Sequence, residues 1–479
     1  MLPSCDALVS TMKSDRLRTI WRLLPALLAV GCTQYQPLPL TPSAVEKALT
    51  VPAPNELQAR ARQHDSNLPT VELDPSQGLT PDSAAVLAVL LNPSIRADRN
   101  RMALSSAQLF QAGLLPNPQL TANNDWVTSG AATVNPFGVG INWDVTSLLI
   151  HDAKVQSAQA ANASIRLDVA WVEWQAAQAA RSSVYDQVSL QHQLAYARQV
   201  DQRLSQNADV IRGAVDRHEK TLLDLSAAQA AAQTAHADAL ALEQQFAHQR
   251  LVLLRAIGLP PSTQVQIRED VDLPSKLELP AAGQLLDGLE NRRIDLQALR
   301  RGYEAEEQNV RAAIIQQFPK INLGFTRAED NTGVHTWGLT ATVDLPIFDQ
   351  YQGLIRTEQA TRQRLFDEYV SRIYQARSDI AMLLADIEAI TRQISAATAA
   401  LPALRQLVQA YQLALNQGNA DVLSYYTAQN DLAQKEISLL KLKQQLVDSR
   451  IGLEIAAGRY LPQPVVAAQT RPQTGEVQP

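Results

Sequence analysis

Phe137-Gly-Val-Gly-Ile-Asn-Trp-Asp-Val145 and Trp337-Gly-Leu-Thr-Ala-Thr-Val-Asp-Leu345 decide the reading of this 479-residue chain. In the first, Phe137, Val139, Ile141, Trp143 and Val145 alternate with Gly138, Gly140, Asn142 and Asp144. In the second, Trp337, Leu339, Ala341, Val343 and Leu345 alternate with Gly338, Thr340, Thr342 and Asp344. A period of two sustained over nine residues is a β-strand with one apolar and one polar face. Each has a preceding partner: Ile321, Leu323 and Phe325 alternate with Asn322, Gly324 and Thr326, and Leu120, Ala122 and Trp126 do so more weakly. Two hairpins are therefore expected, with strands at about 118–127, 136–146, 319–327 and 336–346.

The two ribbons lie 200 residues apart, and the same offset pairs Ala228-Gln229 with Ala428-Gln429, Leu242 with Leu442, Phe246 with Leu446, Leu253 with Leu453 and Gly258 with Gly458. The chain is one unit written twice. Each half reads as a helical segment, two strands, a very long helix, a turn and a second long helix that ends at Gly258 or Gly458 with a proline shortly after. Thr80-Pro81-Asp82 opens the first segment as a capping hydroxyl followed by proline at the first helical position. Residues 147 to about 213 and 350 to about 415 contain no proline except Pro402, so at 1.5 Å per residue these helices would be on the order of 100 Å long. Leu242, Phe246, Leu253 and Ile257, with Leu442, Leu446, Leu453 and Ala457 at the same spacing, form a narrow coiled-coil stripe. The fold class is mainly α with a small β part: a duplicated helix-hairpin-helix unit with long antiparallel coiled-coil helices.

Such helices are too long to fold back over two hairpins, so the apolar strand faces need another cover. Nine to eleven residues is the length of a tilted transmembrane strand. Phe137, Val139, Ile141, Trp143, Trp337, Leu339 and Val343 are the expected lipid-facing residues, with the polar face toward water. Four strands cannot close a barrel, and open strand edges cannot face lipid. Several copies must contribute, and three would supply twelve strands.

Lys13, Arg16, Arg18 and Arg22 precede a short apolar run, Leu23 to Val30, and then Gly31-Cys32. This is a secretory signal too short to span a bilayer. The cysteine after Gly31 resembles a bacterial lipoprotein signal in which Cys32 becomes the acylated mature terminus, and Thr33 resembles an outer-membrane sorting address. Met12 offers an alternative start that leaves Cys5 outside the protein. The expected layout is a signal peptide (1–31), an extended N-terminal tether rich in proline (32–78), a first repeat (79–260), a linker (261–280), a second repeat (281–461) and a disordered tail (462–479).

The order of these features resembles the TolC-type outer-membrane efflux family, in its lipoprotein subtype. The matching motifs are Leu28–Cys32, Asn92-Pro93-Ser94-Ile95, Leu114-Leu115-Pro116-Asn117-Pro118, Asp344-Leu345-Pro346-Ile347-Phe348 and Gly418-Asn-Ala-Asp-Val-Leu-Ser-Tyr-Tyr-Thr-Ala-Gln429, within about residues 79–461. The resemblance implies a homotrimer with a twelve-stranded barrel in outer-membrane lipid and an α-barrel tunnel in the periplasm. It implies partners too: a periplasmic adaptor (membrane fusion) protein and an inner-membrane pump, whose solutes the channel would conduct passively to the cell exterior. Matched by position, Asp224 falls on the family's gate aspartate, whereas the second-half positions for paired aspartates hold Ser424 and Thr427, and Asp421 sits one turn earlier. The candidate gate is Asp224, Asp421 and Ser424, and the candidate adaptor-contact tips are Arg217, His218, Gly418 and Asn419, His218 replacing the family's turn glycine.

A formal net charge of −6 leaves no basic surface to attract nucleic acid. No dinucleotide loop, phosphate loop or nucleophile elbow argues for an enzyme, and the seven histidines lack paired metal-ligand spacing. Neither a cofactor nor a metal is expected. The competing reading is a lipid-anchored periplasmic coiled-coil scaffold without a pore, which leaves the paired hairpins unexplained.

Overall fold

The computed structural model describes residues 35–64, 73, 78–130, 134–417 and 419–461. Cys32, the leader, the tail after 461 and Gly418 lie outside them. The chain divides into two compact units, 1–50 and 51–479. In the first, the only described helix is α1 (Pro42–Leu49), capped by Thr41, whose hydroxyl accepts from the Ala44 amide. In the second, α2 (Pro54–His64) buries Leu57 and Ala61, one helical turn apart. The extended tether expected over 32–78 is thus corrected by two helices. Pro42 and Pro54 stand at the first helical position, where the missing N–H has no partner to lose.

The rest of the second unit follows the duplication. The first half is α3 (Pro81–Leu91), α4 (Pro93–Ala112), β1 (Gln119–Asn124), β2 (Phe137–Asp144), α5 (Thr146–Asp216) and α6 (Leu222–Ile257). The second is α7 (Ala282–Leu286), α8 (Leu289–Arg292), α9 (Ile294–Ile315), β3 (Lys320–Glu329), β4 (His335–Asp344), α10 (Gln352–Asn416) and α11 (Val422–Ala457). Thr80 caps α3 in a reciprocal capping box with Ser83. Both long hairpins end alike. Gly258 and Gly458 are left-handed at φ 88° and 62°, and a side chain at either would collide with Asn92 or Arg293. Those two residues hold matching places: Asn92 Nδ2 donates to the Ala256 carbonyl at 3.0 Å, and Arg293 Nη1 to the Ala456 carbonyl at 3.4 Å.

The two long helices of the second half pack on strict heptads. On α10 the buried residues Ile380, Ile387, Ile394, Leu401, Val408 and Leu415 step by seven, and on α11 so do Tyr425, Leu432, Leu439, Leu446 and Leu453. A sustained seven-residue repeat keeps the seam facing its partner only if the helices wind left-handedly. This moves the stripe read from sequence: Leu442 and Phe246 are only partly buried, whereas Leu439 and Ala239 lie in the seam. The 261–280 segment is anchored at both ends of its course. Leu79 bridges Ile267, Leu273 is buried against Tyr185 and Val447, and Leu277 packs on the main seam.

The four strands make one antiparallel sheet in the order β1-β2-β3-β4. The middle pairing, Phe137↔Glu329 through Asp144↔Asn322, joins the two halves. At its base Ile321 N donates to Thr146 Oγ1 at 2.6 Å, which locks the start of α5 to β3.

Candidate functional site

The sheet register collects the alternating apolar residues onto one face. Leu120, Ile141, Phe325 and Leu339 form a continuous row across all four strands. Below it lie Trp143, Leu323 and Ala341, then Ile321 and Val343; above it lie Ala122, Val139, Arg327 and Trp337. All seven strand residues expected to face lipid share this face. Nothing among the described residues covers it: Leu339 is 90% exposed, and Phe137, Ile141, Leu323, Phe325, Trp337 and Val343 are all exposed. An uncovered apolar sheet of this size is an interaction surface. Of the two charges on this face, Glu329 lies in the outermost row opposite Phe137, and Arg327 lies over the Trp337 ring at 5.1 Å, with Trp337 packed on Phe325 at 5.0 Å. Trp143, at the helical end, is half-buried and donates to the Pro116 carbonyl at 2.8 Å.

The opposite face carries Gln119, Thr121, Asn123, Asn142, Asn322, Thr326, Thr340 and Thr342. Its glycines stand across from polar side chains, Gly138 from Asn123 and Gly324 from Asn142, and a Cβ on either glycine would overlap the asparagine amide. Glycine here makes room for a polar lining. Among the described residues no helix is long and apolar enough to cross a membrane.

The far ends of the coiled coils form two tips. At the first, Arg217 pairs with Glu219 at 3.0 Å and His218 takes a positive φ of 62°, the conformation glycine holds more cheaply. Glu219 N donates to the Ala214 carbonyl, and at the second tip Asn419 N donates to the Ala414 carbonyl, both at 2.8 Å, so the turns are equivalent. The structure places the gate candidates as helix caps. Asp224 Oδ2 accepts from Thr221 N at 2.9 Å and from Thr221 Oγ1 at 2.8 Å, and these hydrogen bonds hold its carboxyl below the usual carboxylate range. In the second half the roles are exchanged: Asp421 is the cap and accepts from the Ser424 amide at 3.4 Å.

Two features escaped sequence reasoning. Leu223 and Leu423, 200 residues apart, are 80% and 61% exposed at the starts of α6 and α11. Their matched offset was the available signal, because exposed leucine at a repeat position is otherwise invisible. The second is a buried polar knot of Arg181, Glu454, Arg450 and Gln178, whose residues carry no motif and meet only through the fold.

Residues 285–459 match the outer membrane efflux protein family. No curated protein matches the chain. Among solved structures, it is similar to CusC, described with transmembrane channel formation, at 20% identity and TM-score 0.67 over 80% of this chain and 94% of that one. VceC, an outer membrane protein of Vibrio cholerae, matches at 17% identity and TM-score 0.67, over 79% and 96%. The outer-membrane channel OprN matches at 14% identity and TM-score 0.69, over 90% and 98%.

Proposed function

We propose that this chain, whose second repeat matches the outer membrane efflux protein family and whose fold is that of the outer-membrane channels, is the outer-membrane duct of an efflux system. The observation that carries the reading is the four-stranded sheet with an uncovered apolar face, a glycine-lined polar face and two open edges. Lipid covers the first, water the second, and further copies seal the third.

The edges differ from each other, so copies join head to tail and close a ring. On one side β1 is free and α4 exposes Leu104 and Phe110; on the other β4 is free and α10 exposes Phe366, Val370 and Tyr374. Three copies give a twelve-stranded barrel continued by the α-helical tunnel. The tips, with Arg217, His218, Gly418, Asn419 and the paired leucines, receive a periplasmic adaptor protein and, through it, an inner-membrane pump. Asp224 and Asp421 ring the mouth beside Ser424, Cys32 carries the acyl anchor, and solutes pass passively. Channels of this kind are not enzymes.

The test is electrophoresis of the detergent-extracted protein with and without boiling, followed by planar-bilayer recording. A trimer-sized, heat-modifiable band and stable conductance steps are expected. A single monomeric band at both temperatures, with no conductance, would refute the reading.

A further inference from the structure

A cavity of about 320 Å³ opens between α5 and α6 of the first repeat and α11 of the second. Small-ligand sites span about 300–1,000 Å³, so the space suits a small organic molecule. Val200 and Leu204 of α5, with Ala231 and Ala235 of α6, give it an apolar wall, and Tyr196 and Tyr426 add two aromatic side chains. Tyr426 is 6% exposed and packs on Tyr425 with ring centroids 5.3 Å apart, yet its sealed hydroxyl has no hydrogen-bond partner. A buried hydroxyl left in this way is costly and points to a partner from outside the chain. Burial, then Tyr425, push that hydroxyl up to about 12, so it keeps its proton and is available as a donor. Asp238 is the only charged residue in the lining; it is exposed and has no ion-pair partner among the described residues.

The duplication supplies an internal reference. At the offset of 200, Ala231 and Ala235 correspond to Asp431 and Lys435, Tyr196 to Ala396, and Asp238 to Ser438. Where α11 carries two larger charged side chains one turn apart, α6 carries two methyl groups. The aromatic wall and the unpaired acid likewise belong to the first repeat alone. Repeat symmetry therefore accounts for none of these four residues.

We propose that this cavity binds a small lipophilic cation whose apolar body lies between α5, α6 and α11, whose charge faces Asp238 and whose acceptor atom takes the Tyr426 hydroxyl. The tyrosine rings add cation–π attraction. An anion of the same shape meets the Asp238 carboxylate with no cation in the lining to offset it. The occupant touches both repeats and so clamps the first hairpin to α11. All of the site comes from one chain, and it does not rest on the transport reading.

The experiment is equilibrium dialysis of the full chain in zwitterionic detergent, with equal micelle concentration on both sides and the fluorescent cation methoxy-N-methylquinolinium as probe. One saturable site per chain is expected, with about tenfold preference over methoxynaphthoate, an anion with the same bicyclic body. Asp238→Asn should weaken binding by about fivefold, the upper range for an exposed charge pair. Tyr426→Phe should weaken it by about fivefold through the lost hydrogen bond. Ala235→Leu, which fills the cavity, should abolish saturable binding. Asp238 is exposed, so its variant tests the charge even where Ala235→Leu disturbs the packing. No saturable uptake, equal binding of the two ions, unchanged affinity in Asp238→Asn, or binding that survives in a folded Ala235→Leu would each overturn the proposal. Neither assembly nor conductance is read, so failure here is distinct from failure of the transport reading.

Discussion

Arg181 Nη1 lies 2.5 Å from Glu454 Oε2, and both side chains are sealed, 4% and 0% exposed for the whole residues. The pair joins α5 of the first repeat to α11 of the second. Glu454 also takes Gln178 Nε2 at 3.1 Å and Arg450 at 3.2 Å, while Arg450 donates to the Leu461 carbonyl at 2.8 Å. Two guanidinium groups therefore converge on one carboxylate, Arg181 having a second, longer ion pair to Asp82 at 3.4 Å.

Removing that carboxylate should be among the costliest single changes in the helical body. Glu454→Ala leaves Arg450 buried without an ion-pair partner and Arg181 with only Asp82 at 3.4 Å, and a loss of about 3–5 kcal/mol is expected. Denaturant titration of the helical signal in detergent measures it. A cost below about 1 kcal/mol would mean the knot is hydrated.

The two sheet faces should respond oppositely to charge. Val343→Asp places a carboxylate on the apolar face and should cost about 2–4 kcal/mol near the bilayer midplane, whereas Thr342→Asp, next in sequence on the polar face, should be tolerated. Heat-modifiable assembly of each variant is the readout. Equal assembly of both variants would reverse or abolish the assigned orientation.

Asp186 predicts a pH dependence. Burial, then the neighbouring Asp448, push its carboxyl up to about 6 against the opposing hydrogen bond from Gln444, from an ordinary value of 3.8. Between those two values the folded chain holds more proton than the unfolded chain, so stability falls as pH rises through this window and levels off above it. The change should be about 1–3 kcal/mol, allowing for partial solvent screening. Asp186→Asn should flatten that slope in thermal or denaturant melts taken from about pH 4 to about pH 7.

The caps at the tips give a fourth outcome. Asp224→Ala loses a reciprocal capping box and should weaken the start of α6 by about 1 kcal/mol, seen as faster amide exchange there. Asp224→Asn with Asp421→Asn should also lower cation preference in planar bilayers, since an acidic ring attracts cations. Unchanged selectivity would leave both residues as caps only.

The strands were legible because alternation has a short period and glycine marks the polar face: Phe137, Ile141, Phe325 and Leu339 fall in one row, as their spacing implied. Helix starts were equally local, since Thr80-Pro81 carries its own cap. The heptad seam was legible only in part: Leu242, Leu253, Ile257, Leu446, Leu453 and Ala457 are buried, but Phe246 and Leu442 are not. Alanines such as Ala239 and Ala232 occupy seam positions, and small side chains give a weak periodic signal beside the larger but outlying Leu442. The Pro42 and Pro54 helices were missed because proline reads as a breaker until its place in the first turn is known. Long-range pairs such as Arg181 with Glu454 have no sequence signature at all, being 273 residues apart.

If copies join edge to edge as proposed, uneven strand lengths limit how they can be stitched. β1 has six residues and β4 ten, so a ladder between adjoining chains reaches about 20 Å at most. Bare amides in hydrocarbon cost several kcal/mol each, so the surplus of β4 must rise into water or shelter under a loop. In the proposed barrel the joints and the six-residue β1–β2 ladder, not the ladders of eight and ten residues, would set the local thickness of the surrounding bilayer, and lipids would be pinched thinnest along those lines.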